Sequence, residues 1–298
     1  MQALVKPSFK QYATELKRGD EITQIYKDTR SYPQPNQIFP DKVVDELWKI
    51  NAPLMGQALE HFRNSTPFVR GEIEDEKTLA GVLSMLQLSI LKARQSAKKM
   101  AFSQVKDELS PWFIFGSDMP YEESSLVGLR LAGVIRSFLF DELELIQRNW
   151  PKELGQNELW LIWSKELRAP WPIDRVIISE SKRLLKQTYL KVAENVAQKL
   201  QKNAYQTSEA VLNQTVGGKS AELDFIKQIW REEDIKAMRL EVNRLSGFQV
   251  RLAQTVYEVK NQKKPGQIED LVKAGLLKGV PIDYTTGRPM SLESAALH

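Results

Sequence analysis

The sequence predicts a mainly α protein: an irregular bundle or solenoid of antiparallel helical hairpins with a short irregular C-terminal tail. Three observations predict it. Apolar residues recur three and four positions apart in nearly every segment, which places them on one face of a helix. Prolines and glycines cut the chain into pieces of helical length, joined by short breaks. Period-two alternation is almost absent before Val280, so strand content should be small.

Composition narrows the class. In 298 residues, 42% hydrophobic and 27% charged content is that of a globular chain with a sizeable core. The 42 basic and 38 acidic residues leave +4, and the basic ones are spread out, clustering only as doublets such as Lys98-Lys99, Lys182-Arg183 and Lys263-Lys264. That is a solvated surface, and it argues against a nucleic-acid partner. The absence of cysteine removes disulfides, thiolate metal sites and thiol nucleophiles together. No run reaches the roughly 18 to 20 apolar residues that span a bilayer. The first twenty-one residues, MQALVKPSFKQYATELKRGDE, hold no apolar signal core. A membrane anchor upstream of Met1 stays open.

Taken in order, Phe9, Tyr12, Leu16, Ile22 and Ile25 predict one or two short helices broken at Gly19-Asp20. SYPQPNQIFP, Ser31 to Pro40, reads as an extended linker because each proline removes a donor and biases its predecessor away from helix. Asp41 then caps a helix carrying Val44 and Leu47, and a second is expected after Pro53 with Ala58, Leu59 and Phe62. From Thr78 the residues Leu79, Leu83, Leu86, Ile90, Ala93 and Ala97 make one regular stripe, expected to stop at Ser110-Pro111 before an aromatic loop, PWFIFGSDMP. Ser124 or Ser125 caps the next helix, whose apolar residues from Leu126 to Ile146 cover more than one face and place it centrally. Pro151 ends it. Asn157 caps a short helix bearing Trp160 and Trp163, and Asp174 starts one of about 25 residues. Helix resumes near Ser220 after a weak stretch ending in Val216-Gly217-Gly218.

The last helix carries a stripe of Met238, Val242, Leu245, Phe248, Leu252, Val256 and Val259 and so docks along its length. Pro265-Gly266 terminates it, and Leu271, Val272, Leu276 and Leu277 form a short element folding back on it. No fixed repeat period emerges. The chain is therefore read as residues 1–70, N-terminal helices with a Pro-rich linker; 71–216, a helical-hairpin core; and 217–298, the long helix and tail, forming one continuous unit.

The order of long helix, Pro265, Leu271-Val272, Leu276-Leu277, Val280-Pro281-x-Asp283, Gly287 and Pro289 is similar to the C-terminal end of type II secretion pseudopilins. The same tail marks a family of uncharacterised bacterial membrane-anchored helical proteins, which the region from Leu79 to Met290 resembles. The resemblance implies a periplasmic or otherwise extracytoplasmic location and an envelope protein or glycan partner. Two departures limit it. The long helix is internal and carries Glu241, Asn243, Arg244 and Arg251, so it is no pilus-core helix, and the chain leaves little room after Pro289 for the pseudopilin calcium ligands. Pro281, Asp283 and Gly287 are accordingly read as a structural turn, with no metal site.

Candidate chemistry is sparse. Val216-Gly217-Gly218-Lys219-Ser220 resembles half a phosphate loop, but Asn213 stands where the first glycine belongs, which favours an interhelical loop. His61 and His298 are the only imidazoles, too few for a His-based metal site or triad. Two acidic clusters, Glu72, Glu74, Asp75 and Glu76, and Asp118, Glu122 and Glu123, sit beside loops or helix starts, where the helix dipole favours acids. Ile178-Ser179-Glu180-Ser181 resembles the Glu-Ser of lytic transglycosylases without the segment that should follow. Trp160, Trp163 and Trp171 are the candidate ligand-binding residues, able to line a groove by stacking, with wedging between core helices the favoured alternative. No catalytic residue and no cofactor is implied. The expectation is a non-enzymatic helical binding or scaffold domain of a bacterial envelope protein. The alternatives are a carboxylate-dependent glycan or cell-wall enzyme and a cytoplasmic tetratricopeptide-like adaptor.

Overall fold

The computed structural model describes residues 9–30, 38–63, 76–123, 126–167 and 232–297. The chain is mainly α, as its periodicity requires, and divides into two units, Met1–Asp118 and Met119–His298.

In the first unit, α1 (Phe9–Glu15), α2 (Gly19–Asp28) and α3 (Asp41–Arg63) all pack on α4 (Glu76–Lys98). The α4 stripe is buried from Leu86 onward, and burial spreads round the helix to Met85, Leu88 and Leu91, so α4 is the centre of this unit. Its buried polar groups are matched by neighbours: Arg94 Nη1 donates to the Thr29 carbonyl at 2.8 Å, and Thr23 donates to Gln87 Oε1 at 2.8 Å. Burying polar groups is tolerated only when they are paired in this way.

Three expected boundaries move. One helix, α3, runs through Pro53, because Val44, Leu47, Asn51, Met55, Ala58 and Phe62 form a continuous buried stripe on both sides of it. Asn51, the polar member, is satisfied by the backbone of Lys17, accepting from its N–H at 2.9 Å and donating to its carbonyl at 3.1 Å. The second change is at Met100, where α4 ends and α5 (Phe102–Glu123) begins. Met100 has φ 59°, and the bonds Ala101 N–H to Ser96 O (2.9 Å) and Met100 N–H to Ala97 O (2.9 Å) close a Schellman motif. That motif favours glycine or asparagine, and a methionine there leaves no sequence signal.

The helix α5 then continues through Ser110-Pro111, so the expected aromatic loop is helical. Pro111 cannot donate to the carbonyl of Asp107, and Arg63 Nη2 does so instead at 3.3 Å. Phe62 stacks on Phe115 with ring centroids 4.4 Å apart and meets Trp112 edge-on at 4.9 Å, and Trp112 donates to Ser89 Oγ at 2.9 Å. This aromatic burial, worth several kcal/mol by area, outweighs a proline kink of about 3 kcal/mol.

In the second unit, α9 (Glu232–Asn261) packs against α6 (Leu126–Asn149), α7 (Pro151–Gln156), α8 (Glu158–Glu166), α10 (Ile268–Lys273) and α11 (Leu292–Leu297). Phe248, Val250, Leu252, Ala253 and Val256 are fully buried on α9, as are Ala132, Ile135, Leu139, Phe140, Leu143 and Ile146 on α6, so both helices are central among the described elements of this unit. Gly155 on α7 lets the two backbones close up, since a Cβ there would lie 2.7 Å from Thr255 Cγ2. A second Schellman closure ends α10, with Gly275 at φ 70°. The strands β1 (Ile282–Asp283) and β2 (Arg288–Pro289) pair antiparallel, Ile282 opposite Pro289. No helix among the described residues is long and apolar enough to cross a membrane.

Candidate functional site

The α6 and α9 helices run parallel, tied by a ladder of polar pairs whose numbers rise together. Arg136 bonds Glu241; Arg244 reaches Asp141 (2.6 Å) and Glu144 (3.1 Å); Arg251 Nε donates to Gln147 Oε1 (3.2 Å). The Phe140 ring lies between the first two rungs, 5.8 Å from the Arg136 guanidinium and 5.6 Å from that of Arg244. Burial raises the Glu241 carboxyl to about 7 against the opposing pull of Arg136 and Arg244. Burial likewise lowers Arg136, which is only 1% exposed.

The tail is fastened to the same helix. Asn243, fully buried on α9, donates to Asp283 Oδ1 at 2.7 Å and accepts from the Tyr284 N–H at 2.8 Å. Asp283 also accepts from the Thr285 N–H (2.8 Å), the Thr285 hydroxyl (2.5 Å) and the Thr286 hydroxyl (2.9 Å). Burial alone would raise this carboxyl, but the bonds from Thr285, Thr286 and Asn243 outweigh it and hold the group at about 2. Gly287, at φ 71°, donates to the Asp283 carbonyl at 2.7 Å, and Met290 N–H donates to the Pro281 carbonyl at 2.8 Å. Pro281, Asp283 and Gly287 thus lie in one turn whose acid is surrounded by protein donors.

Where the ladder ends, a groove of about 510 Å³ opens between α6, the start of α7, α9 and α11. The wall from α6 supplies Glu144, Gln147 and Arg148, and the floor from α9 supplies Arg251, Gln254, Thr255 and Glu258, at helical spacings that keep them on one face. Ala296 and Leu297 close one side. Arg251 Nη1 donates to the Ala295 carbonyl at 2.5 Å, fixing α11 beside the groove. Among the described residues its Nη2 finds no hydrogen-bond acceptor, though it is ion-paired with Glu144 Oε1 at 3.9 Å, and Gln147 Nε2 is a second buried donor without an acceptor. Burial lowers Arg251, and of the neighbouring charges Glu144 opposes the shift while Arg244 and Arg148 add to it.

The residues singled out from sequence are placed differently. Trp160 is fully buried and Trp163 is 6% exposed, the two rings meeting edge-on at 5.2 Å. Trp171 lies outside the described residues, as do the Val216–Ser220 and Ile178–Ser181 stretches and Glu72, Glu74 and Asp75. Glu76 opens α4, and Asp118, Glu122 and Glu123 fall in the last turns of α5, a helix end rather than a start. His61 is buried, edge-on to Tyr12 at 6.3 Å. Among the described residues no group of three or more His, Asp or Glu could hold a metal ion. Glu108 on α5 is raised to about 7 by burial, against the pull of Lys92 and Arg63.

Sequence reading missed the groove and the Asn243 clip. Each depends on which helix faces which, and the one available signal was a set of polar residues, Asn243, Arg244 and Arg251, interrupting the apolar pattern of α9. Comparison with protein-family models, curated proteins and solved structures finds no match to any of them.

Proposed function

We propose that the chain is a non-enzymatic binding or scaffold module of a bacterial cell-envelope protein, its tail of the pseudopilin-like kind. The observation that carries the reading is the double use of α9. Its Asn243 holds the tail through Asp283, and about two turns further on, from Arg251 to Glu258, it floors an open groove. The groove gathers arginines, glutamates, amides and a threonine hydroxyl, a chemistry suited to holding a polar ligand. Among the described residues the acids with raised affinity for protons lie elsewhere: Glu241 is bonded to Arg136, and Glu108 belongs to the first unit. That distribution favours binding over a carboxylate-dependent glycan enzyme, which needs such an acid inside the cavity.

The test is the location of the product of the native gene, carrying a C-terminal epitope. Expected is a protein that survives added protease in intact cells and is digested in spheroplasts. Digestion only after the inner membrane is broken would place it in the cytoplasm and end the envelope reading.

A further inference from the structure

We infer that one end of the first unit, where α2 and α4 finish and α3 begins, is a docking surface for an anionic lipid bilayer, with Ile38 and Met100 entering the headgroup layer and basic residues meeting its charge. The inference goes beyond the binding reading and uses neither the groove nor the tail.

Bonds to α4 bring three helix ends together. The carbonyl of Thr29, just past α2, accepts from Arg94 Nη1 at 2.8 Å, and the Arg94 guanidinium lies 5.0 Å from the Tyr26 ring. Asp41, the first residue of α3, is bonded to Lys98 in the last turn of α4. Exposed cations from separate parts of the chain therefore share this end: Lys27 and Arg30 at and just past the end of α2, Lys42 on α3, and Lys99 at the α4–α5 corner. Against them stand Asp28, which is exposed, and Asp41, which Lys98 neutralises. Asp45, a turn further along α3, is bonded to Lys92. The balance is positive, although the same residues look dispersed when read along the sequence.

Two apolar side chains protrude among these charges. Ile38 is 91% exposed and precedes Asp41 by three residues, and Met100 is 55% exposed and follows Lys98 by two. Phe39 is buried, and its carbonyl accepts from the Asp41 N–H at 2.9 Å, so the segment is anchored beside the exposed Ile38. The methionines at 55, 85, 238 and 290 are all buried, which sets Met100 apart. Apolar tips ringed by basic residues separate a bilayer from other polyanions. A nucleic acid would satisfy the cations and leave Ile38 and Met100 in water. Lipid offers phosphates to the lysines and acyl chains to the tips. Each lysine close to an anionic membrane strengthens binding about fivefold.

The experiment is co-sedimentation of the purified chain with sucrose-loaded vesicles in about 0.1 M salt, made of phosphatidylcholine alone or with about one third phosphatidylglycerol. The anionic vesicles should carry the protein down, and the neutral ones should not. Lys42→Gln with Lys99→Gln should weaken binding at least about tenfold, two charges at about fivefold each. Ile38→Ser with Met100→Asn should weaken it about fivefold or more, asparagine being chosen because it tolerates the left-handed backbone there. The chain has no cysteine, so Ile38→Cys carries a single environment-sensitive fluorophore, whose emission should move to shorter wavelength on anionic vesicles. All these positions are exposed, and the variants should keep the native circular dichroism. No sedimentation with anionic vesicles, equal sedimentation with both kinds, wild-type affinity in either double variant, or an unshifted fluorophore would each overturn the bilayer site. So would a DNA duplex that binds as tightly and is indifferent to Ile38→Ser. None of those outcomes alters the protease result, so the two readings fail separately.

Discussion

At the scale of single residues, the informative ones are polar groups buried with their partners. Asn243 and Asp283 show how much one side chain can organise: four donors converge on one carboxylate, and the amide that supplies one of them also accepts from the Tyr284 N–H. The consequence is a definite pH dependence. The folded carboxyl titrates near 2, below its ordinary value of 3.8, so the folded state binds fewer protons than the unfolded state in that window. Its contribution is complete above about pH 4 and is lost as pH falls toward about 2. Allowing for solvent screening at a surface turn, the contribution is about 1–2 kcal/mol. Urea unfolding of the wild type between those pH values should show this extra acid sensitivity, and Asp283→Asn should remove it. An unchanged slope in the variant would mean that the turn is held by its backbone bonds alone. Proline and aspartate in that order pointed to the turn from sequence, whereas the buried asparagine forty residues earlier carried no sign of its partner.

Among the elements, close approach decides what can change. Gly81 on α4 faces α1 so tightly that a Cβ would lie 2.3 Å from the Ala13 carbonyl oxygen, a backbone atom with no rotamer to give way. Gly56 on α3 has nothing within 4 Å of the same position. Both are helical glycines, and propensity alone would have alanine stabilise each by about 0.5–1 kcal/mol. Gly56→Ala should do so in a thermal melt. Gly81→Ala should instead destabilise by about 2–4 kcal/mol, the range for overpacking against a rigid neighbour, or detach α1 altogether. Equal effects at the two sites would show that α1 does not rest on α4. The elements themselves were largely legible, since a run such as Leu86, Ile90, Ala93 and Ala97 states its own period. The boundaries at Pro53 and Pro111 were not, because tertiary packing overrides the local preference there, nor was that at Met100, where a left-handed residue is neither glycine nor asparagine.

For the molecule as a whole, the second unit is built round a charge pair where an apolar contact would ordinarily stand. Arg136 and Glu241 are bonded in its interior with almost no exposure, and taking both from water costs several kcal/mol that their attraction only partly offsets. Arg136→Met alone, leaving Glu241 uncompensated, should cost about 3–5 kcal/mol by urea unfolding, whereas Arg136→Met with Glu241→Leu should be neutral or stabilising. A double variant as unstable as the single would mean that the pair fixes the packing of α6 on α9. Neither residue stands out in the chain, where charged residues on helices are ordinarily solvated. What the sequence determined by itself is therefore the helical class, the stripe along α9 as far as Val256 though not the exposed Val259, and the turn in the tail, because hydrophobic period and turn chemistry are local properties. Only the tertiary structure decided which polar residues meet, which helices pack on α4 and α9, and where the groove opens. Those outcomes belong to pairs such as Arg136 with Glu241, 105 residues apart, whose encounter depends on how whole helices face one another.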